Sequence, residues 1–215
     1  MLVPRFYMNK KLHSFFPVLS ACVIGEVMNL AGAHLLLLLE PLRIPLFLDT
    51  IGTVAVTFYA GLLPGIIVAL LFNVIRTIQI ALVNGTEIYP WEMLYMLCGA
   101  TIAAVTWAFA RRKENFCINR QITILYLVLI ALLSAFASSV VGGLVETVNR
   151  IFFDGIHNRS LTEYFVRAFM GENMGMFVSC VLARIPMTLM DRVICTFAGY
   201  GLYALAKKYT HHGSV

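Results

Sequence analysis

Charge is scarce in this chain. Asp, Glu, Lys and Arg make up only 13% of its 215 residues, whereas 60% are hydrophobic and the mean hydropathy is +0.84. A soluble core of this length could not bury so much apolar surface, which excludes an ordinary soluble protein. The 16 basic residues form no stripe interleaved with aromatic residues, so the net charge of +5 does not indicate a nucleic-acid partner.

Motifs for common catalytic and metal chemistry are missing as well. The 5 cysteines form no CxxC pair and have no nearby set of histidines, so we expect neither a metal site nor a disulfide framework. There is no HExxH motif, and no Ser–Lys or paired-carboxylate arrangement at helical spacing, which argues against an enzyme. There is also no Gly-x-x-x-x-Gly-Lys phosphate loop. We therefore expect no cofactor, and any ATP hydrolysis would have to come from partner subunits.

What the sequence does contain is a series of apolar runs long enough to cross a bilayer. The runs are continuous and do not alternate with a period of two, which favours helices. We predict an all-α membrane protein with six transmembrane helices, forming one domain over residues 1–215. In chain order, the predicted helices are Phe15–Leu39, two helices within Ile44–Thr77 joined by a turn at Gly61–Gly65, Glu92–Ala110, Arg120–Gly143 and Pro186–Leu205.

Lysine and arginine concentrate on one side of this predicted bundle. They lie in the N-terminal tail (1–13), in the loop between the fourth and fifth helices, and just before the C-terminal tail (209–215). By the positive-inside rule this side is cytoplasmic, so both termini are predicted to lie inside. Residues 146–184 must then begin and end outside. We interpret them as an extracellular cap or re-entrant segment that acts as a mobile lid.

Polar side chains at hydrocarbon depth suggest where a ligand binds. The hairpin of the second and third helices brings Asp49, Thr50 and Thr53 to the same end as Asn73 and Arg76. A charge inside a bilayer is costly unless it is paired or lies in a cavity, so such residues mark a candidate site. An ion pair that only fixes helix packing is the alternative. The predicted substrate-binding residues are Glu26, Asn29, Asp49, Thr50, Thr53, Asn73, Arg76, Tyr89, Trp91, Asp191 and Arg192.

Two groups of residues can be explained without a functional role. Tyr89 and Trp91 are also typical of interfacial anchors. A stripe of small residues, Ala21, Gly25 and Gly32, lies on one face of the first helix and would let another helix approach closely. That helix could belong to this chain or to a partner.

Three segments resemble the S components of energy-coupling factor (ECF) transporters. They are Phe47-Leu48-Asp49-Thr50-Ile51-Gly52-Thr53, then Tyr59–Gly65 followed by Asn73, and finally Ile185–Arg192. In the last segment a proline precedes Asp191-Arg192. S components tend to have a proline followed by Asp-Lys at this position, so Arg192 stands where a lysine is usual. The resemblance covers the second, third and sixth predicted helices in their order and spacing.

The resemblance implies high-affinity binding of a vitamin-like micronutrient at the outer face of a bacterial plasma membrane. The ligand would be delivered by an ABC importer made of this S subunit, a transmembrane T component and two ATPases. The small-residue stripe of Ala21, Gly25 and Gly32 would then be the docking surface. The long polar cap suits a large ligand, and we expect cobalamin. A lone His13 near the N-terminus argues against nickel or cobalt ions.

Two other functions stay open. A stand-alone membrane carrier could use Glu26 and Asp49 as titrating groups, but we see no internal repeat of the kind common in carriers. A sensory membrane domain would need a signalling segment after the last helix, and the sequence ends shortly after Lys207-Lys208.

Overall fold

The computed structural model describes residues 5–38, 47–85, 87–112, 118–153 and 161–212, together with Glu114 and Phe116. Over these residues the chain is helical and has no strand, so the all-α prediction is confirmed. The helices are α1 (Arg5–Leu38), α2 (Ile51–Ala60), α3 (Leu62–Asn84), α4 (Met96–Ala110) after a 3₁₀ turn at Pro90–Tyr95, α5 (Arg120–Phe152), α6 (Leu161–Gly171) and α7 (Met176–His212).

Within the described ranges, four helices are long and apolar enough to cross a membrane. They cover Pro17–Leu35, Leu62–Val83, Pro90–Ala110 and Arg120–Phe152. Large aliphatic side chains such as Leu82 stay exposed on these helices, which suits contact with lipid. The chain therefore has the character of a membrane protein. The prediction of six spans needs α2 and α7 too, and neither is among the four.

The hairpin of α2 and α3 is tighter than predicted. A single residue, Gly61, separates the two helices, and its φ of 97° lies in the region that favours glycine. Pro64 follows in the first turn of α3, where its missing N–H is not needed. The predicted start of α2 is wrong, because residues 47–50 are not helical and Asp49 and Thr50 precede the helix.

Helices α5 and α7 are both longer than predicted. At 33 and 37 residues they measure about 50 and 55 Å, whereas about 20 residues cross a bilayer. Their contact continues past the predicted ends at Gly143 and Pro186. A Cβ atom on Gly143 would lie 3.0 Å from the backbone nitrogen of Val181, so glycine is what lets the two helices meet there. Charged pairs described below hold these extensions together.

The segment predicted as a cap consists largely of helices. It comprises the end of α5, the 11-residue α6 and the start of α7. At about 16 Å, α6 is too short to span a bilayer, and it packs along α7. Val166 is buried against Cys180 and Ala183, while Tyr164 on the other side of α6 is exposed. We call the region formed by residues 146–153 and 161–184 the cap.

The end of the bundle away from the cap is closed by aromatic side chains. Phe58 of α2 lies at the centre of this group, with ring centroids 5.4 Å from Phe116, 5.3 Å from Tyr200 and 5.6 Å from Tyr203. The same apolar cluster includes Ile130 of α5, which is fully buried. Open space in the bundle is therefore found toward the cap.

Candidate functional site

A cavity of about 450 Å³ lies between the cap and the start of α2. Its volume falls within the range of small-molecule binding sites. Six elements and the non-helical residues 47–50 contribute to its wall. The lining residues are Phe47, Asp49, Thr50, Asn73, Tyr95, Cys98, Gly99, Ile102, Ser138, Glu146, Arg150, Thr162, Glu163, Arg184, Thr188 and Arg192.

One end of the cavity is formed by what we call the inner charged cluster: Asp49, Asp191 and Arg192. The guanidinium of Arg192 donates to the Thr50 hydroxyl and to Asp191, and its Nη2 lies 3.5 Å from Asp49 Oδ1. The side chain of Asp191 is fully buried, and that of Arg192 is 5% exposed. Each buried charge needs the other, because a lone one would carry its full desolvation cost.

Asp191 also binds the backbone of the non-helical segment. Its Oδ1 accepts hydrogen bonds from the Phe47 amide at 3.0 Å and the Leu48 amide at 2.7 Å. Backbone donors inside an apolar bundle must find an internal acceptor, since no water is there to replace it. Asp191 does not line the cavity. Its contacts make it a support for residues 47–50 and not a ligand contact.

Asn29 of α1 does the same for the start of α2. Its Oδ1 accepts from the amides of Gly52 at 2.8 Å and Thr53 at 3.3 Å, and its Nδ2 donates to the Thr53 hydroxyl at 2.9 Å. The first amides of any helix lack partners within the helix, so Asn29 acts as a cap supplied by another helix. Asn29 and Thr53 are both fully buried and lie outside the cavity wall.

The other end of the cavity is formed by the cap charged cluster: Glu146, Arg150, Glu163, Arg167 and Arg184. Glu146 is its centre. Its Oε1 accepts from Arg150 Nη2 at 2.7 Å, and its Oε2 accepts from Arg184 Nε at 2.9 Å, which ties α5 to α7.

Tyr95 extends this contact to the 3₁₀ turn. Arg184 Nη2 donates to the Tyr95 hydroxyl at 2.9 Å, and the Arg184 guanidinium carbon lies 4.9 Å from the centroid of the Tyr95 ring. This distance is within the range of a cation–π interaction. Four elements of the structure, α5, α6, α7 and the turn before α4, thus meet around the cap charged cluster.

Glu163 joins α6 to the same cluster. It pairs with Arg150 of α5 and accepts from Arg167 Nε at 2.6 Å. The hydrogen bond from Arg150 is the main reason why the pKa of Glu163 lies below its ordinary value; burial opposes the shift, and Arg167 adds to it. The carboxylate is therefore the favoured form of Glu163, and it fastens α6 to the end of α5.

Four of the predicted substrate-binding residues line the cavity. They are Asp49, Thr50, Asn73 and Arg192. Asn73 donates from Nδ2 to the Ala69 carbonyl of its own helix at 2.9 Å. Among the described residues, no hydrogen-bond partner is found for the two carboxylate oxygens of Glu26, and this residue does not line the cavity.

Three further predicted residues lie away from the cavity. Arg76 donates to Gln79 of its own helix at 3.2 Å. Tyr89 and Trp91 pack against each other with centroids 5.2 Å apart, and Trp91 stacks on Phe153 at 4.5 Å. The two aromatic residues thus brace the base of the cap.

The small-residue stripe on α1 faces α2. A Cβ atom on Gly25 would lie 3.3 Å from the carbonyl oxygen of Gly52, and one on Gly32 would overlap the carbonyl of Leu48. Both glycines are buried, whereas Ala21 is half-buried. Of the two alternatives that the sequence left open, internal packing describes the position of these glycines, and neither offers a free surface for docking.

Sequence reasoning missed most of the cap side of the cavity. Ser138 and Glu146 were recoverable, since they lie eight residues apart on one side of α5, and Arg150, one turn after Glu146, already fell within the segment predicted as a lid. Cys98 and Gly99 carry no signal of this kind. Within the described part of the chain, no group of three His, Cys, Asp or Glu side chains is arranged to hold a metal. The cavity offers hydrogen bonds, charges and apolar contacts, which suit reversible binding.

Comparison with protein-family models, with curated proteins and with solved structures gave no significant match to this chain.

Proposed function

We propose that this chain is the S subunit of an ECF-type ABC importer and binds a compact vitamin-like micronutrient at the outer face of a bacterial plasma membrane. The observation that carries the proposal is the cavity of about 450 Å³ between two charged clusters, inside an apolar helical chain. A T component and two ATPases would complete the importer and supply the ATP hydrolysis.

The family assignment draws support from how two of the resembling segments meet. Phe47–Thr53 and Ile185–Arg192 are far apart in sequence, yet Asp191 accepts hydrogen bonds from the amides of Phe47 and Leu48. Arg192 also contacts Asp49 at the cavity wall. The residues that carry the resemblance thus form one end of the cavity.

The proposed topology has six spans and places the cap outside. Helices α1, α3, α4, α5 and α7 each cross, and the sixth span is made by α2 together with the non-helical residues 47–50 that precede it. Arg111 and Arg112 follow α4, and Lys207 and Lys208 lie near the end of α7, so these cations are at the end away from the cap. The positive-inside rule assigns that end to the cytoplasm. The cavity then opens toward the outer face.

The volume of the cavity favours a compact ligand over cobalamin. Cavities of this size hold drug-sized molecules, and a corrinoid with its nucleotide tail is several times larger. The wall also mixes apolar residues, such as Phe47 and Ile102, with the charged groups. A ligand with a ring or short apolar body between polar ends fits this lining.

Mass spectrometry of retained small molecules tests the binding function. Purified protein in lipid nanodiscs is incubated with a bacterial metabolite extract, washed and denatured, and the released compounds are identified. Thr188→Phe should place an aromatic ring inside the cavity, where it takes up part of the space for a ligand, and abolish retention. Met190→Phe, two residues further along α7 on an exposed position, is the matched control and should retain the same compound. Retention by neither the wild type nor M190F would reject a binding function.

A stand-alone carrier is the second candidate, and Glu26 is the observation that favours it. A carboxylate in a membrane helix with no described hydrogen-bond partner is a candidate proton site. Reconstituting this chain alone in proteoliposomes separates the two functions. Accumulation of the retained compound under a pH gradient, lost in Glu26→Gln, would favour the carrier; no accumulation without the T component and ATPases would favour the importer subunit.

A further inference from the structure

We propose that the cavity selects a molecule with two charged ends, a cation held at Asp49 and an anion held by the arginines of the cap. This inference rests on the proposed binding function and specifies the class of ligand. It follows from how the formal charges of the two clusters divide and from which groups are already committed to protein partners.

The inner charged cluster carries a formal charge of −1, from Asp49, Asp191 and Arg192. Asp191 is fully buried and committed to Arg192 and to two backbone amides. Asp49 is the less committed carboxylate: its side chain is 27% exposed, and its contact to Arg192 is long, at 3.5 Å. No hydrogen bond joins its Oδ2 to another described residue. Excess negative charge at this end therefore faces the cavity through Asp49.

The cap charged cluster carries a formal charge of +1, from three arginines and two glutamates. Its members in the cavity wall, Arg150, Arg184, Glu146 and Glu163, balance one another, and the excess comes from Arg167, whose side chain is 70% exposed outside the wall. Each glutamate is shared by two arginines: Glu146 by Arg150 and Arg184, and Glu163 by Arg150 and Arg167. The carboxylates are thus well supplied with donors. Guanidinium groups have five N–H donors each, so Arg150 and Arg184 in the cavity wall keep capacity for an anionic oxygen.

The wall between the two clusters is largely apolar. Ile102 and Gly99 of α4 lie there, and Phe47 is 45% exposed at the inner end. Charges at both ends and apolar surface between them are complementary to a compact molecule with an apolar body, a cationic group at one end and a carboxylate, sulfonate or phosphate at the other. A purely anionic or purely cationic ligand would leave one end without a partner.

Charged thiol reagents can measure this polarity at each end directly. One cysteine is placed at the inner end, Phe47→Cys, two residues from Asp49, and one at the cap end, Thr162→Cys, next to Glu163; the native cysteines are replaced by alanine. Each variant, in nanodiscs, is treated with trimethylammonioethyl, sulfonatoethyl and methyl methanethiosulfonate, which are cationic, anionic and neutral. At each position, the rate of modification by the cationic reagent is divided by the rate for the anionic reagent. This ratio is then divided by the same ratio measured for free 2-mercaptoethanol. Asn73→Cys replaces Phe47→Cys if that variant does not fold.

We expect the normalised ratio to be about fivefold above one at the inner position, as one unit of charge across a partly hydrated cavity would give. At the cap position it should lie below one by a smaller factor, because solvent screens the exposed Arg167 and the preference comes mainly from the unused N–H donors of Arg150 and Arg184. Asp49→Asn should remove the preference at the inner position and leave the cap position unchanged. The same preference at both positions, or an inner preference that survives Asp49→Asn, would overturn the inference while leaving a binding function intact. Failure of the neutral reagent at both positions would mean that no small molecule enters, which overturns the proposed function and this inference together.

Discussion

Replacing Asn29 with alanine should destabilise the whole inner end of the cavity, although Asn29 does not line it. The substitution removes the acceptor for the amides of Gly52 and Thr53 and the donor to the Thr53 hydroxyl. No water replaces them, because Asn29 and Thr53 are fully buried. The start of α2 would then either keep unpaired amides or unwind.

The expected cost can be worked out from these contacts. An unsatisfied buried amide costs about 1–3 kcal/mol, and two are left behind. Hydrogen bonds between membrane helices are worth about 0.6 kcal/mol on average, since the unfolded chain in the membrane also finds partners. Two amides give about 2–6 kcal/mol, and three hydrogen bonds at the membrane average give about 2 kcal/mol. We therefore expect Asn29→Ala to lower the free energy of unfolding by about 2–4 kcal/mol, in the lower half of the first range.

Reversible unfolding in mixed detergent micelles, followed by circular dichroism, measures this loss. Asn73→Ala is the matched control: Asn73 lies on α3, is half-buried and donates only to its own helix, so its replacement should cost less than about 1 kcal/mol. If Asn29→Ala and Asn73→Ala unfold at the same detergent fraction, the capping of α2 by α1 is not what stabilises this end of the bundle.

The remaining predictions concern the cap and α1. Cys180 is buried under α6, so labelling of its thiol reports on how firmly α6 is held. In a variant whose only cysteine is Cys180, Glu163→Gln should raise the labelling rate at least about tenfold. Arg167→Gln should raise it much less, because the Arg167 side chain is 70% exposed. Acid should act like Glu163→Gln. The pKa of Glu163 is lowered, chiefly by the hydrogen bond from Arg150. The stabilisation of the cap by this carboxylate is therefore present above the ordinary pKa of 4.5 and is lost as the pH falls through the lowered native pKa. Labelling with a reagent active in acid should then be flat from about pH 7 to 5 and rise below about pH 4; a flat profile throughout would contradict the role of this carboxylate. Gly25→Leu should lower folded yield and ligand retention together, whereas a docking role would spare retention.

The sequence predicts the apolar parts of the helices well and the charged ends of α5 and α7 poorly. Continuous apolar runs suffice to predict the bundle, since a span must satisfy its own backbone. The predicted ends of α5 and α7 were wrong, because a charged residue in an apolar run indicates the point at which a helix leaves the membrane. In the structure, Glu146 and Arg184, 38 residues apart, pair with each other and allow both helices to continue. Such a pair is invisible until the two helices are known to be neighbours.

The candidate site was predictable only where the free-energy cost of burying a charge marks a residue. Asp49 and Arg192 stand out because charges at hydrocarbon depth are expensive. The same argument could not separate Asp49 from Asp191, because it says nothing of which carboxylate the backbone uses. It also could not assign Asn29, whose role depends on where α2 begins. Both distinctions depend on the non-helical residues 47–50, which the continuous apolar run conceals.

The short α2 explains why support and binding are coupled at the inner end of the cavity. Its 10 residues cover about 15 Å, roughly half of a bilayer core, so residues 47–50 descend into the bundle before the helix begins. Irregular backbone at that depth is tolerated only where it is buried in protein or lines a cavity. Here both hold: Asp191 accepts from the amides of Phe47 and Leu48, Asn29 accepts from the first amides of α2, and Asp49 faces the cavity. A full-length helix would pair those amides internally and would need neither support, but it would also fill the space that the cavity occupies. The polar residues of α1 and α7 are therefore part of how the cavity is kept open, and the residue that contacts a ligand is positioned by residues that do not.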